Sequence, residues 1–443
     1  MNIAVIGAGI SGLCAAFWLS RKHNITLMEA NDYLGGHTNT VEVDLDGERH
    51  AIDTGFIVFN DRTYPSFIAL LDTLGVVSQP TEMSFSVRCE QTGLEYQGSS
   101  LGGLFAQRAN LLRPRFWRML RDIAKFNREG TRLALAAAGY PGDDRATVGD
   151  FLRQGGYGRE FAEHYLLPMG SAIWSCPVGK FADFPLRMIL EFFHNHGLLS
   201  LRDRPRWRVI AGGAKTYVAA VAQPLRGCIR LATPIERITR HSHGVEVVPR
   251  RGPAESFDHV VLACHADQAL RMLSDPSPAE REVLGTFPYE RNVAVLHTDA
   301  SLLPRRRRAW ASWNYHLPRG ESTQATVTYC MNILQGIRSR QVLCVTLNSE
   351  ERIDPSKVLR RFEYDHPVFS AVRTAARARQ QELLNHNRTS FCGAYWGNGF
   401  HEDGVVSAMA VCRALEATEQ IPAGSMTLTT LAPAVEAQTS YLG

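Results

Sequence analysis

The chain has 443 residues, 45% of them hydrophobic, with a formal net charge of +4. That length provides for two or three domains with ample cores, and so modest a charge excludes the footprint of a nucleic-acid binder. No run approaches the ~20 apolar residues of a membrane span, and nine cysteines without a C-x-x-C pair suggest neither a disulfide framework nor a zinc site.

Met1 to Ile6 reads as a short buried strand, Gly7-Ala8-Gly9-Ile10-Ser11-Gly12 as a tight turn opening a helix, and Ile25 to Met28 as a second strand closed by Glu29. This is a dinucleotide-binding βαβ pattern. Gly7 allows the turn, Gly9 lets backbone approach a pyrophosphate, Gly12 lets the helix pack on the strand, and Glu29 stands where a ribose-binding carboxylate belongs. A strand starting at Ile3 leaves no room for a signal peptide, so the expected address is cytoplasmic. The unit alone does not choose between NAD and FAD.

The next residues do. Glu29-Ala30-Asn31-Asp32-Tyr33-Leu34-Gly35-Gly36-His37-Thr38 resembles the E-x-x-x-R-x-G-G-R-T signature of the flavin-containing amine oxidase and phytoene desaturase superfamily. The resemblance implies FAD, with Gly35 and Gly36 bringing more backbone to its phosphates, and with Ile10, Ser11, Ala30 and Thr38 among its contacts. Tyr33 and His37 stand where that family has arginines. Phosphate neutralisation is then expected from backbone donors or from a charged His37.

Val41 to Val58 alternates like a hairpin with Gly47 in its turn, delivering Asp53-Thr54-Gly55-Phe56-Ile57. In the resembling family this stretch passes beside the isoalloxazine, making Gly55, Phe56 and Ile57 flavin contacts; a hairpin end in the core is the alternative. Tyr64 to Leu74 reads as a helix stopped by Gly75. From about Pro80 to Asp203 the βα pattern gives way to strands and then long helices, as a substrate domain inserted into the nucleotide fold would. In the helix expected over Arg115 to Ala138, Arg118, Arg121, Lys125, Arg128 and Arg132 form one stripe, with Phe116, Met119, Leu120, Ile123 and Phe126 roughly opposite. The stripe is either a solvated outer face or a surface for an anionic membrane, which would place the protein peripherally at the inner membrane face. Arg305 to Arg308 forms a second basic patch, read as an exposed loop after Pro304. Tyr165 to Pro177 and Phe192 to Leu199 are aromatic-rich and suit a substrate tunnel; His194 and His196 have no evident third metal ligand and read as structural.

The nucleotide fold resumes near Trp207, with Val209-Ile210-Ala211-Gly212-Gly213 leading into a helix from Lys215 to Ala222. Cys228 to Val248 alternates as a meander, and its Thr233-Pro234-Ile235 stretch resembles the strand offering a backbone contact to adenine, through Ile235. Phe257 to Cys264 is a fully apolar strand, and Ala263 at its carboxyl end lies where ligands collect. Substrate-domain sequence returns from about Phe287 to Leu384. Finally, Thr389 to Tyr395 reads as a strand containing Gly393, and Trp396-Gly397-Asn398-Gly399-Phe400-His401-Glu402-Asp403-Gly404-Val405 opens a helix to Leu415. This resembles the superfamily's closing motif, whose helix start faces flavin N1 and O2.

The resulting expectation is an α/β chain. A Rossmann-like FAD-binding domain of the amine-oxidase type (1–80, 205–286, 385–420) carries an inserted α+β substrate domain (81–204, 287–384), and 421–443 forms a tail. The chain most resembles bacterial flavin oxidoreductases related to the amino-terminal part of plant cyclopropane fatty acid synthases, through Ser312 to Tyr315 (SWNY), Met331 to Gln335 (MNILQ), Asp365 to Phe369 (DHPVF) and Gly399 to Gly404 (GFHEDG). That resemblance implies a lipid acyl substrate, oxidised by hydride transfer to flavin N5. His401 is the first candidate for an accompanying base and Tyr315 the second.

Departures from the amine-oxidising branch point the same way. Asn292 to His297 contains no lysine where amine oxidases often keep one. Phe400 with Tyr395 or Trp396 replaces a two-tyrosine cage, and Glu402 or Asp403 is left to serve the ribityl hydroxyls. Cys392 inside a strand argues against covalent flavin attachment. Amine oxidation with peroxide release, and a non-catalytic flavin protein serving a lipid-modifying enzyme, are the alternatives.

Overall fold

The computed structural model describes residues 1–137, 146–174, 176–200, 202, 204–319, 326–369 and 371–418; the expected tail from Ile421 to Gly443 lies outside them. Strand β1 (Asn2–Ile6), helix α1 (Ile10–Leu19) and strand β2 (Asn24–Met28) form the opening unit, with Ile3 paired to Ile25 and Val5 to Leu27 in parallel register. Strands β3 (Thr40–Leu45) and β4 (Glu48–Asp53) form the expected hairpin. Its turn residues Asp46 and Gly47 have φ of 55° and 77°, the left-handed pair that a two-residue hairpin loop requires. Helix α2 (Pro65–Leu74) stops at left-handed Gly75.

Strands β5 (Phe85–Cys89) and β6 (Leu94–Gln97) then leave the nucleotide fold, followed by the long helix α3 (Pro114–Ala137) and helices α4 (Leu167–Trp174) and α5 (Leu186–Asn195). Helix α3 buries Phe116, Met119 and Phe126 against α5 and its neighbours and exposes Arg118, Arg121, Arg128 and Arg132. Its apolar stripe is therefore consumed by the core. Lys125 leaves the basic stripe, because its ammonium donates to the Gly155 carbonyl and lies 4.6 Å over the Tyr157 ring.

Helix α6 (Lys215–Ala222) returns to the nucleotide fold. The meander expected from Cys228 divides: β7 (Ile229–Arg230) joins β2 at the edge of the parallel sheet, while three antiparallel strands follow between Ile235 and Phe257. The adjacent β8 (His259–Leu262) is buried along its whole length beside β1, as a central parallel strand should be. Strands β9 (Tyr289–His297), β10 (Trp313–Leu317), β11 (Val327–Cys330), β12 (Cys344–Leu347) and β13 (Val358–Pro367) build the second sheet, ordered β13-β9-β12-β11-β10-β5-β6. Strand β14 (Thr389–Phe391) completes the first sheet, all parallel and ordered β7-β2-β1-β8-β14, and helix α7 (His401–Thr418) closes it. The strand expected to reach Tyr395 ends four residues earlier, in a 3-10 turn over Ala394–Trp396.

One buried carboxylate ties the hairpin to the start of α6 and to the segment between β11 and β12. Asp53 accepts from Thr40 Oγ1 at 2.5 Å, from the Ala214 backbone N–H at 2.9 Å and from Gln335 Nε2 at 2.9 Å, and its own N–H donates to Gln335 Oε1. The MNILQ segment thus ends on the hairpin that delivers Gly55. Burial raises the Asp53 carboxyl to about 7, against the pull of these donors. Asp53→Ala will take the acceptor from three donors, two of them buried, and should destabilise the chain by roughly 3 kcal/mol in urea unfolding; a change under about 0.5 kcal/mol would mean that the link does not hold the hairpin to the Gln335 segment.

Candidate active site

A cavity of about 980 Å³ runs from the carboxyl ends of β1, β2, β8 and β14 to the inner face of the second sheet. Its nucleotide-facing wall contains Gly7, Gly9, Ile10 and Ser11, then Glu29 and Ala30, then Gly35, Gly36 and His37. Gly35 N–H donates to the Ala8 carbonyl, and a Cβ on Gly36 would lie 3.3 Å from Gly9 Cα, so the second glycine pair rests on the first turn. A Cβ on Gly9 would meet nothing within 4 Å, whereas one on Gly12 would overlap the Gly7 carbonyl oxygen. Gly9 is open to a ligand; Gly12 is a packing residue outside the lining. Glu29 Oε2 accepts from Ala8 N–H at 2.7 Å and Oε1 from Asn31 N–H at 2.9 Å, holding the carboxylate at the cavity edge with acceptor sites left over.

Ile235, Ala263 and Gly393 join this wall from the other strand ends, and Gly55, Phe56 and Ile57 enter from the hairpin. Phe56 is held by its N–H to the His37 carbonyl at 2.8 Å, and a Cβ on Gly55 would strike that same carbonyl.

His37 is part of a group that its sequence neighbours do not announce. Its ring centroid lies 5.9 Å from His265, 5.5 Å from His366 and 5.1 Å from Tyr364, and His265 stacks on Tyr289 at 4.2 Å. Burial lowers the three imidazoles, His37 and His265 to about 4 and His366 to about 3, with mutual repulsion adding to the effect. The expected charged His37 is thus neutral near pH 7. His37 Nε2 and His366 Nδ1 are buried without a hydrogen-bond partner among the described residues. His366 belongs to the DHPVF segment, whose spacing carried no role; only the meeting of distant strand ends assigns one.

The late helix start contributes Gly399, Phe400 and His401 to the cavity, but four expected contacts behave otherwise. Glu402 reaches away to helix α2, accepting from the Ser66 and Phe67 N–H groups at 2.9 and 2.8 Å and so capping that helix. Asp403 accepts from Asn398 and Phe400 N–H and is raised to about 6 by burial; it fixes its own loop rather than facing the ribityl side. A Cβ on Gly404 would sit 2.8 Å from Ile10 Cγ2, so this glycine seats α7 on α1, and Val405 is buried in the core beneath. Thr38 also lies outside the lining, with Oγ1 2.6 Å from Tyr217 Oη and 2.9 Å from His401 Nε2.

Neither expected base is free. His401 stacks on Phe56 at 3.5 Å, Nε2 is shared between Thr38 and Tyr217, and burial drives its titration far down, which makes it a positioning residue. Tyr315 is buried beyond the cavity edge, its ring stacked on Phe85 at 6.4 Å, while Trp313 and Tyr329 of the same sheet line the wall. The aromatic cage is also rearranged: Phe400 stacks on Phe192 at 5.2 Å and Phe192 on His196 at 3.8 Å, Tyr395 lines the cavity, and Trp396 packs behind it. His196 is occupied by Thr63 Oγ1 and the Phe192 carbonyl, and no group of three or more potential metal ligands occurs among the described residues. Burial raises the thiols of Cys264 to about 12 and of Cys392 well above the ordinary range, so neither is an activated nucleophile.

The wall fits a FAD. Glycine backbone lies open at the diphosphate end and a carboxylate at the ribose end, with an imidazole that keeps one unpartnered nitrogen and a helix start on the same cavity. The sequence matches the family model for flavin-containing amine oxidoreductases over residues 10–298, well over half the chain. No curated protein matches it. Among solved structures, putrescine oxidase bound to putrescine superposes with a TM-score of 0.67 at 15% identity, over 95% of this chain and 100% of that one. Cyclohexylamine oxidase from Brevibacterium oxydans IH-35A gives 0.66 at 16%, covering 95% and 99%. A CLA-producing fatty acid isomerase from P. acnes gives 0.62 at 16%, covering 93% and 98%. At these identities the likeness is one of fold.

The two glycines of the opening turn should separate in the test tube. Gly9→Ala will keep the melting temperature of the apoprotein and weaken FAD binding tenfold or more, whereas Gly12→Ala will lower the melting temperature itself; equal effects of the two on folding would refute the division. The histidines set a pH dependence. Their folded-state pKa values lie below the unfolded 6.5, so the unfolded chain binds protons first on acidification, and stability, full above about pH 6.5, falls toward pH 4. Thermal unfolding of the apoprotein between pH 7 and 5 should show this fall, and replacing His37 and His366 together by Gln should flatten it.

Proposed function

The chain belongs to the flavin-containing amine oxidoreductase family and is a FAD-dependent oxidoreductase, and from that premise we propose that its substrate is a lipid acyl chain, oxidised to a new carbon–carbon double bond. The observation that carries this reading is the composition of the substrate wall. From β5, β6, α4, α5, β10 and β11 it presents Phe85, Tyr96, Met169, Trp174, Phe192 and Trp313 among others, and no carboxylate. An ammonium brought there would lose its hydration without a counter-charge, whereas methylene groups gain about 0.8 kcal/mol each on burial. No lysine lines the cavity among the described residues either.

When bound, FAD would supply an acceptor for two electrons and two protons, so that the chain gives up two hydrogens as its double bond forms. The protein's part is to hold the chain and exclude water. The stacked Phe400, Phe192 and His196 rings narrow the passage toward the helix start. Thr38 and Tyr217 hold His401, and His401 supports Phe56, so the flavin-facing aromatic wall is fixed in advance. A fatty acid isomerase among the proteins of similar fold supports this reading.

Amine oxidation keeps one foothold, the carboxylates of Glu363 and Asp365 on β13 at the His37 end of the cavity. Glu363 is already paired with Arg291 and Arg361. Under anaerobic conditions, phospholipid or fatty acid should bleach the flavin absorbance of the holoenzyme, and putrescine or cyclohexylamine should leave it oxidised. Bleaching by the amines alone would replace the proposal with the amine reading, and bleaching by neither would leave a flavin protein without acyl-chain oxidation.

A further inference from the structure

Single exposed apolar side chains are scattered over the surface, but four of them gather at one corner: Leu101, Leu111, Leu112 and Trp117, exposed to 76, 48, 86 and 49%. The contacts that gather them are specific. Trp117 Nε1 donates to the Leu111 carbonyl at 2.9 Å, which leaves the indole face outward. The Phe105 ring, at the end of the one-turn helix Leu101–Leu104, lies 5.6 Å from Trp117, and Asn110 Nδ2 donates to the Glu95 carbonyl at 3.2 Å. The corner is held from three sides and does not collapse into the core.

Arginines flank it on both sides. Along α3, on the turns beyond Trp117, Arg118, Arg128 and Arg132 are exposed and form no ion pair among the described residues, and Arg121 has only a 3.9 Å approach to Asp122. The acidic residues of this helix are taken: Asp122 accepts from Gly158 N–H and Glu129 from the Tyr157 hydroxyl. On the other side the Arg305–Arg308 loop is pinned beside the Leu101 helix by Glu95, which accepts from the Arg305 and Arg306 N–H groups. The cavity reaches this corner as well, because Tyr96, Gly98 and Ser99 line it and the exposed Leu101 follows two residues later.

We propose that this corner docks on an anionic lipid bilayer, with Leu112 and Trp117 in the interface and the α3 arginines on the headgroups. The docking surface differs from the one an amphipathic helix would offer, since the apolar stripe of α3 is buried and the insertion comes from Leu112 just before the helix and Trp117 in its first turn. The docking stands on this surface alone. That the docked mouth receives an acyl chain rests on the proposed substrate, and the experiment keeps the two apart.

FAD-loaded full-length protein is sedimented with vesicles of phosphatidylcholine alone or mixed with phosphatidylglycerol. Binding to the anionic vesicles, lost on adding salt, is the expected result. The triple variant R118E/R121E/R128E should bind at least tenfold more weakly, and Leu112→Ser with Trp117→Ser should weaken binding while leaving the salt dependence. These side chains are exposed, so retained flavin absorbance and melting temperature certify the fold. Equal binding to both vesicle types, or unchanged binding by the triple variant, would overturn the proposal. So would a dimer in sedimentation velocity that Trp117→Ser dissolves, which would assign the corner to a second copy of the chain. Vesicle binding without flavin bleaching would retain the docking and remove the acyl substrate.

Discussion

The site depends on one contact between the two ends of the chain. Helix α7 can bring its first turn to the cavity only because Gly404 lets it seat directly on Ile10 and Ser11 of α1. A side chain there would push the helices apart, and the two helix starts would no longer share one space. Each start carries unpaired N–H groups and roughly half a positive charge. Bringing two such ends to the same cavity is electrostatically unfavourable until an anion lies between them. The glycine contact holds that arrangement in the empty protein, so the cost is met by packing in the core around Val405 and Leu13 before any ligand arrives.

Around that contact the chain places carboxylates where they organise backbone rather than where they face the cavity. Glu402 caps α2, Asp403 closes its own loop, and Asp53 joins the hairpin, α6 and Gln335. The effect is to make segments of the cavity wall dependent on distant ones. The Gly55 stretch is held from Gln335, between β11 and β12, and, through the Thr54 hydroxyl, from Tyr364 on β13 at 2.9 Å. The segments around the second sheet are in this way tied to the wall that Gly55 and Phe56 enter.

What could be read from the chain divides along locality. The glycine turn, the Glu29 position and the late helix start were legible because each is fixed by backbone geometry within a few residues. The roles of Glu402 and Asp403 were not, because successive helical residues point ~100° apart and the phase of α7 is set by its seat on α1. Tyr315 failed for a related reason. It shares a sheet face with Trp313, two residues back, and strand alternation correctly puts both on the inner side; one step further along the strand, however, Phe85 and not the cavity covers it. The imidazole group of His37, His265 and His366 joins three segments that meet only in the folded chain, and no periodicity foreshadows it. The arginine stripe was visible, but which side of α3 faces the core follows from its packing on α5.

The charge state of the cavity follows from these placements. Burial lowers the imidazoles of His37, His265 and His366 on the cavity wall toward their neutral forms, and raises the carboxyls of Asp53 and Asp403 behind it. An arginine in place of His37 would have kept a full charge there in the absence of any ligand. The imidazole does not; it becomes positive only when an anion raises its proton affinity, and it holds an unpartnered nitrogen meanwhile.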